Sequence, residues 1–154
     1  MKHYKKSISF ALILAMISGT MAYMPQNTFV SRSSFNISAA TESIKINEKN
    51  FPDINFRSYV SDTIDTDHDG ALSADELLVV KEINICGKEI SDLTGIGYFT
   101  ALETLYCNYN MLESIDVSNN TMLKSLICDS NKLKTIDISN NMVLKNLSCF
   151  SNKI

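Results

Sequence analysis

Between residues 65 and 76 the chain places oxygen-bearing side chains at a spacing suited to holding a hard divalent cation. Asp65, Asp67 and Asp69 take positions 1, 3 and 5 of this stretch, Ser73 position 9 and Glu76 position 12. The carbonyl of Ala71 offers a further oxygen at position 7, and Gly70 at position 6 permits a sharp turn. Carboxylates this close repel one another, and a cation that accepts many oxygen ligands removes that repulsion.

The pattern matches the EF-hand calcium loop at every informative position, so calcium is the expected cofactor and Asp65, Asp67, Asp69, Ala71, Ser73 and Glu76 its expected ligands. Leu72, at position 8, is apolar and should pin the loop to the body of the protein. His68 falls at a non-ligand position and is expected in solvent. A capping box at the start of a helix also fits Ser73 and Glu76, but it leaves the three alternating Asp and Gly70 unexplained. No second loop is visible in the sequence, which argues against a calmodulin-like switch or a dockerin. The expected role is structural, a calcium-locked helical cap.

Such a loop needs a helix on each side. Pro52 suits a first helical turn, and Phe56, Val60 and Ile64 recur every four residues, predicting a helix over 52–63. Leu77 and Val80 suggest a second short helix reaching about Lys81, so the cap is assigned to 49–81. Residues 23–48 are rich in Ser, Thr and Asn without a sustained period and read as a flexible linker. Residues 1–22 have the form of a secretory signal peptide. Lys2, Lys5 and Lys6 precede an uncharged apolar run, and Thr20 and Ala22 stand at −3 and −1 of a cleavage site. The run is shorter than the ~20 apolar residues of a membrane-spanning helix. Removing it leaves 11 basic and 17 acidic residues, a charge near −6, which excludes an electrostatic footprint for nucleic acid.

From residue 82 onward the chain is periodic. Leu102, Leu123 and Leu144 are 21 residues apart, as are Leu105, Leu126 and Leu147, and Cys107, Cys128 and Cys149. Asn110, Asn131 and Asn152 keep the same register. Ile115-Asp-Val-Ser-Asn-Asn120 returns as Ile136-Asp-Ile-Ser-Asn-Asn141. A degenerate, one-residue-longer copy begins near Val80, with Lys88 in place of the Asn. Such a period specifies a solenoid in which each coil buries its apolar edge against its neighbours. The two Leu and the Cys should point inward from a short parallel strand, and the Asn should satisfy backbone groups in the bend.

These repeats resemble the leucine-rich-repeat family, in particular its exported bacterial surface proteins. The segment Ile90-Ser-Asp-Leu-Thr-Gly-Ile96 is similar to the internalin type of repeat, and the later copies to a 21-residue bacterial variant with Cys in the strand. The resemblance implies a repeat solenoid with short parallel β-strands over 82–154, about 3.5 copies, and recognition of a protein or cell-surface ligand at a secreted or surface location. The exposed strand positions are Glu103, Tyr106, Asn108 and Tyr109, then Lys124, Ile127, Asp129 and Ser130, then Lys145, Ser148, Phe150 and Ser151. Among them Tyr106, Tyr109, Asn108, Ile127, Asp129 and Phe150 are the expected partner-binding residues. The rival reading is a spacer segment of a larger surface protein whose activity lies elsewhere.

Three cysteines in one inward column cannot all pair, so the expectation is reduced, packed thiols. Cys86 falls outside the column and has no assignment. No C-x-x-C spacing supports zinc, and no nucleophile–base pair or phosphate loop is present, so the chain is expected not to be an enzyme. Ile154 is only the eleventh position of its repeat. The expectation is therefore an open apolar solenoid end that self-associates, or a natural chain that continues.

Overall fold

The computed structural model describes residues 43–154; the expected signal segment 1–22 and most of the expected linker 23–48 lie outside the described residues. Four three-residue strands, β3 (Glu82–Asn84), β4 (Thr104–Tyr106), β5 (Ser125–Ile127) and β6 (Asn146–Ser148), stack in sequence order as one parallel sheet. Ile83, Leu105, Leu126 and Leu147 lie opposite one another, so the 21-residue period of the sequence is the register of the sheet. The ladder runs on past each strand, with the Cys107 N–H donating to Ile127 O and the Cys128 N–H to Ser148 O, both at 2.8 Å. This is a leucine-rich-repeat solenoid.

The strands are short because each ends in a left-handed turn. Gly87, Tyr109, Ser130 and Ser151 occupy equivalent places with φ of 63, 57, 54 and 55°. Three of the four carry a side chain that disfavours this conformation. What holds it is the asparagine one residue further on. The Asn131 side chain donates to the carbonyls of Cys107 and Cys128 at 3.0 Å and accepts the Leu112 N–H at 3.0 Å. Asn110 and Asn152 make the same bonds one coil earlier and later. A second ladder runs along the return side. Asn120 donates to Ile96 O and Phe99 O, and Asn141 to Val117 O and Asn120 O. The Asp of each return phrase accepts the amide two residues on, Asp116 from Ser118 and Asp137 from Ser139.

Leu102, Leu105, Cys107, Leu123, Leu126 and Cys128 are fully buried. Each such aliphatic side chain contributes about 1.5–3 kcal/mol by leaving water. The last coil differs: Leu147 is 43% exposed and Cys149 half-buried, since no further coil covers them among the described residues.

The N-terminal end is covered by a helix–loop–helix. Helix α1 (Ile54–Tyr59) continues into a π-helical turn (Val60–Ile64), and α2 (Ala74–Val79) follows the loop. Phe56, Val60 and Ile64 form the buried face, as the four-residue spacing predicts. Pro52, however, stands outside the first turn. Asp53 is the N-cap, its Oδ1 accepting the Asn55 and Phe56 amides at 2.9 and 3.0 Å, which leaves Pro52 before the helix. The second helix stops at Val79 rather than Lys81, because Val80 is extended and leads into β3. The cap also starts earlier than residue 49. Strand β1 (Ile44–Lys45) pairs antiparallel with β2 (Ala71–Leu72), and Asn47–Asn50 turn the chain back. Two strand residues are too few to register as a period, so this part of the expected linker reads as unstructured in sequence.

Cap and solenoid share one core. Phe51 meets Phe56 edge-on with centroids 5.7 Å apart and lies 6.5 Å from Phe99 of the first coil. Gly95, at φ 104°, faces this contact. A side chain there would collide with the Phe51 ring and the Asn50 carbonyl. Asp53 makes a second tie, its Oδ2 accepting the Ser91 N–H and hydroxyl at 2.8 and 3.0 Å. One carboxylate thus caps the helix and fastens it to the first repeat.

Candidate metal centre and exposed strand face

The loop between the π-turn and α2 gathers the carboxylates of Asp65, Asp67 and Glu76, with one oxygen of each within 4.8 Å of the others. Asp65 is 2% exposed. Its Oδ2 accepts the Gly70 N–H at 3.0 Å, while its buried Oδ1 has no hydrogen-bond donor. A buried, unpartnered carboxylate oxygen carries a desolvation cost that a cation would remove. The residues present therefore fit a hard metal ion.

Glu76 is held by four donors. The Thr66 N–H and hydroxyl reach Oε1 at 2.7 and 2.8 Å, and the Ser73 N–H and hydroxyl reach Oε2, both at 2.9 Å. Burial works to raise the pKa of this carboxyl, but the donors outweigh it and hold it at about 2. The group is thus ionised and aimed before any cation arrives. The two hydroxyl donors can rotate, freeing lone pairs on Glu76 for a metal. Ser73 and Glu76 also form a complete capping box at the start of α2. The capping reading is therefore met, and it does not exclude the cation reading, because position 9 of the loop is the N-cap of the helix.

Asp69 departs from the expected ligand set. Its carboxylate is outside the three-residue group, and its Oδ1 accepts the Ala71 N–H at 2.8 Å instead. Ala71 and Leu72 are drawn into β2, and Leu72 is fully buried, as its position requires. His68 is exposed, at φ 56°, in the bend.

The outward face of the sheet is built from rows two residues apart. Asn84, Tyr106, Ile127 and Ser148 form one row by strand register. Cys86, Asn108, Asp129 and Phe150 follow in the next, by the bonds of Gly87, Tyr109 and Ser130 to the carbonyls of Asn108, Asp129 and Phe150. This places Cys86 outside, donating to Asn108 Oδ1 at 2.8 Å, with Ile85 taking the column position that Cys107 holds in the next coil. Tyr109 and Phe150 are 67% and 77% exposed, whereas Tyr106 and Ile127 are half-buried. Asp129 is not free. Ser148 Oγ donates to both of its oxygens, at 2.7 and 2.8 Å, and the Phe150 N–H donates at 2.6 Å. Its carboxylate ties two coils together, which reduces what it can offer a partner. Glu103 and Lys124 stand at the strand entrances and pair with each other.

The four cysteines are free thiols. Burial raises the Cys107 pKa far above the usual thiol range and that of Cys128 to about 12, so neither forms thiolate near neutrality. A thiol reagent on the native protein should therefore modify Cys86 and Cys149 first, and Cys107 and Cys128 only after denaturation. Mass spectrometry showing early labelling of Cys107, or a bond between it and Cys128, would refute this packing. On the return side a cleft of about 340 Å³ is lined by Asp92, Tyr98, Ser114, Asp116 and Asn119. Asp92 and Asp116 each spend an oxygen on a turn amide there. No nucleophile–base pair lines it.

The fold is that of a leucine-rich-repeat solenoid, and the chain is similar to internalins. Internalin J of Listeria monocytogenes serotype 4b (strain F2365) is 36% identical over 70 residues, 46% of this chain and 8% of that protein. The functional domain of internalin J from Listeria monocytogenes, described as including a cysteine ladder, superposes with a TM-score of 0.65 at 32% identity, covering 72% of this chain and 24% of that one. An internalin (InlF) from strain 4b F2365 gives a TM-score of 0.64 at 24% identity over 75% of this chain and 34% of that one, a likeness of fold alone. No family model matches the sequence. The chain spans only a small part of the length of these internalins. Among the described residues no helix is long and apolar enough to cross a membrane.

Proposed function

We propose that this chain is a calcium-stabilised recognition module of a secreted or cell-surface bacterial protein. The helix–loop–helix is an EF-hand-like cap on the first coil, and the outward rows of the solenoid receive a protein or surface ligand. The observation that carries the recognition reading is the exposure of Tyr109 and Phe150 beside the half-buried Tyr106 and Ile127 on one continuous face. Aromatic side chains of this kind anchor partners at low entropic cost. Calcium is supported by the buried Asp65 Oδ1 without a donor, on a carboxylate grouped with those of Asp67 and Glu76. Asp65, Asp67 and Glu76 would bind it first, with the Ala71 carbonyl and Ser73 beside them and Asp69 reaching it through water or after turning from Ala71. The bound ion supplies charge compensation that lets the loop close. Residues 1–22 direct the chain out of the cell.

Surface plasmon resonance of the immobilised chain against fractionated cell-surface proteins should give saturable binding. Joint replacement Tyr109→Ala and Phe150→Ala should weaken it at least about thirtyfold, the loss expected when a hot-spot anchor worth about 2 kcal/mol is removed. Binding that survives both substitutions would place the partner elsewhere. Failure of every fraction to bind would favour the spacer reading.

A further inference from the structure

We infer that strand Ile44–Lys45, together with the Ile46 N–H, is a built-in clasp for the cation loop, so that cation binding and docking of this segment are one coupled event. The inference rests on the calcium reading above and concerns how a single loop, with no second loop beside it among the described residues, is kept in binding shape.

A two-residue strand has no stability of its own. Ala71–Leu72 lies inside the ligand loop and exposes backbone groups that need a partner. Ile44 sits opposite Leu72 and Lys45 opposite Ala71. The pairing extends one residue further, where the Ile46 N–H donates to Gly70 O at 2.9 Å. Gly70 in turn donates its own N–H to Asp65 Oδ2. The clasp therefore grips the residue whose amide orients the buried ligand carboxylate.

The segment is fastened at its other end as well. Asn50 Nδ2 donates to Lys45 O at 2.9 Å, and Asn47 Oδ1 accepts the Lys49 and Asn50 amides at 3.0 and 3.1 Å. Ile44 and Ile46 pack against the core that Leu72 completes. The segment thus holds Gly70, Ala71 and Leu72 in place before a cation binds, lowering the ordering cost of binding. Linkage requires the converse, that a bound cation hold residues 44–46 more firmly.

Calorimetric titration of calcium into the full chain should be compared with Ile46→Pro and Ile46→Ala. Both remove the Ile side chain, but only proline removes the N–H that reaches Gly70. The dissociation constant should rise about tenfold more in Ile46→Pro than in Ile46→Ala. Equal affinities in the two variants would overturn the clasp and leave the calcium reading intact. An unsubstituted chain that takes up no calcium would overturn both. If the proline variant does not fold, hydrogen exchange of the unsubstituted chain decides the matter. Calcium should slow exchange at Ile44 and Ile46 together with Gly70 to Leu72; slowing confined to the loop would overturn the clasp.

Discussion

Chelating calcium should lower the melting temperature of the full chain by about 10 °C. At a hundredfold excess over the dissociation constant, a ligand bound only to the folded state adds about 2.7 kcal/mol. For a domain of roughly a hundred residues that corresponds to a shift of this size. Extracellular sites of this type work with dissociation constants of about 10⁻⁴ to 10⁻³ M, so that excess corresponds to roughly 10 to 100 mM calcium, and millimolar calcium should give a proportionately smaller shift. Magnesium should give a smaller shift, because it demands tighter octahedral geometry than these carboxylates offer. Glu76→Gln keeps the shape of the side chain and removes its charge, and should make the melting curve indifferent to calcium and chelator alike. A parent protein that already ignores both would reduce the loop to a capped turn.

The same residue gives a pH signature without metal. The folded pKa of Glu76, about 2, lies below the ordinary 4.5. The stability contributed by its hydrogen bonds is therefore present in full above about pH 4.5 and is lost as pH falls toward 2. In chelator, Glu76→Gln should flatten this part of the acid limb of the unfolding curve.

The second large effect belongs to the asparagine ladder. Asn131→Ala should destabilise the protein by about 2–4 kcal/mol in denaturant unfolding. Asn131 is 8% exposed, and its Oδ1 is the hydrogen-bond acceptor for the buried Leu112 N–H, which the substitution orphans. The carbonyls of Cys107 and Cys128 suffer less, since each keeps a second asparagine donor, from Asn110 and Asn152 respectively. The comparison residue is Asn152, whose bonds lie at the half-open last coil. There water can replace the amide, so Asn152→Ala should cost less than about 1 kcal/mol. Equal losses at the two positions would show that burial does not govern the ladder.

Much of this architecture is legible in the chain because a repeat states its rule several times. The columns at Leu105, Leu126 and Leu147 and at Cys107, Cys128 and Cys149 give strand register directly, and the structure pairs those residues coil to coil. The bend asparagines are equally plain, since an invariant small amide after a strand must serve the backbone. The return-side ladder is written in the same phrases at Asn120 and Asn141, but adjacent Asn residues do not reveal which one turns inward. Loop positions 65–76 are legible because ligand spacing along one short segment is local. The roles of Asp69 and Asp129 are not: the first turns to the Ala71 amide and the second to Ser148 and Phe150 of the next coil.

The solenoid, its period, its inward thiols and the carboxylates gathered before it can be read from residue spacing alone, since each of these is a spacing within one stretch of chain. It takes the folded chain to show that Ile44–Lys45 completes the loop, that Asp53 fastens the cap to Ser91, and that Phe51 closes over Gly95 and Phe99. Each of those contacts joins segments roughly 25 to 50 residues apart that share no period. Their partners are selected by which apolar surfaces and unpaired backbone groups remain once the coils have stacked.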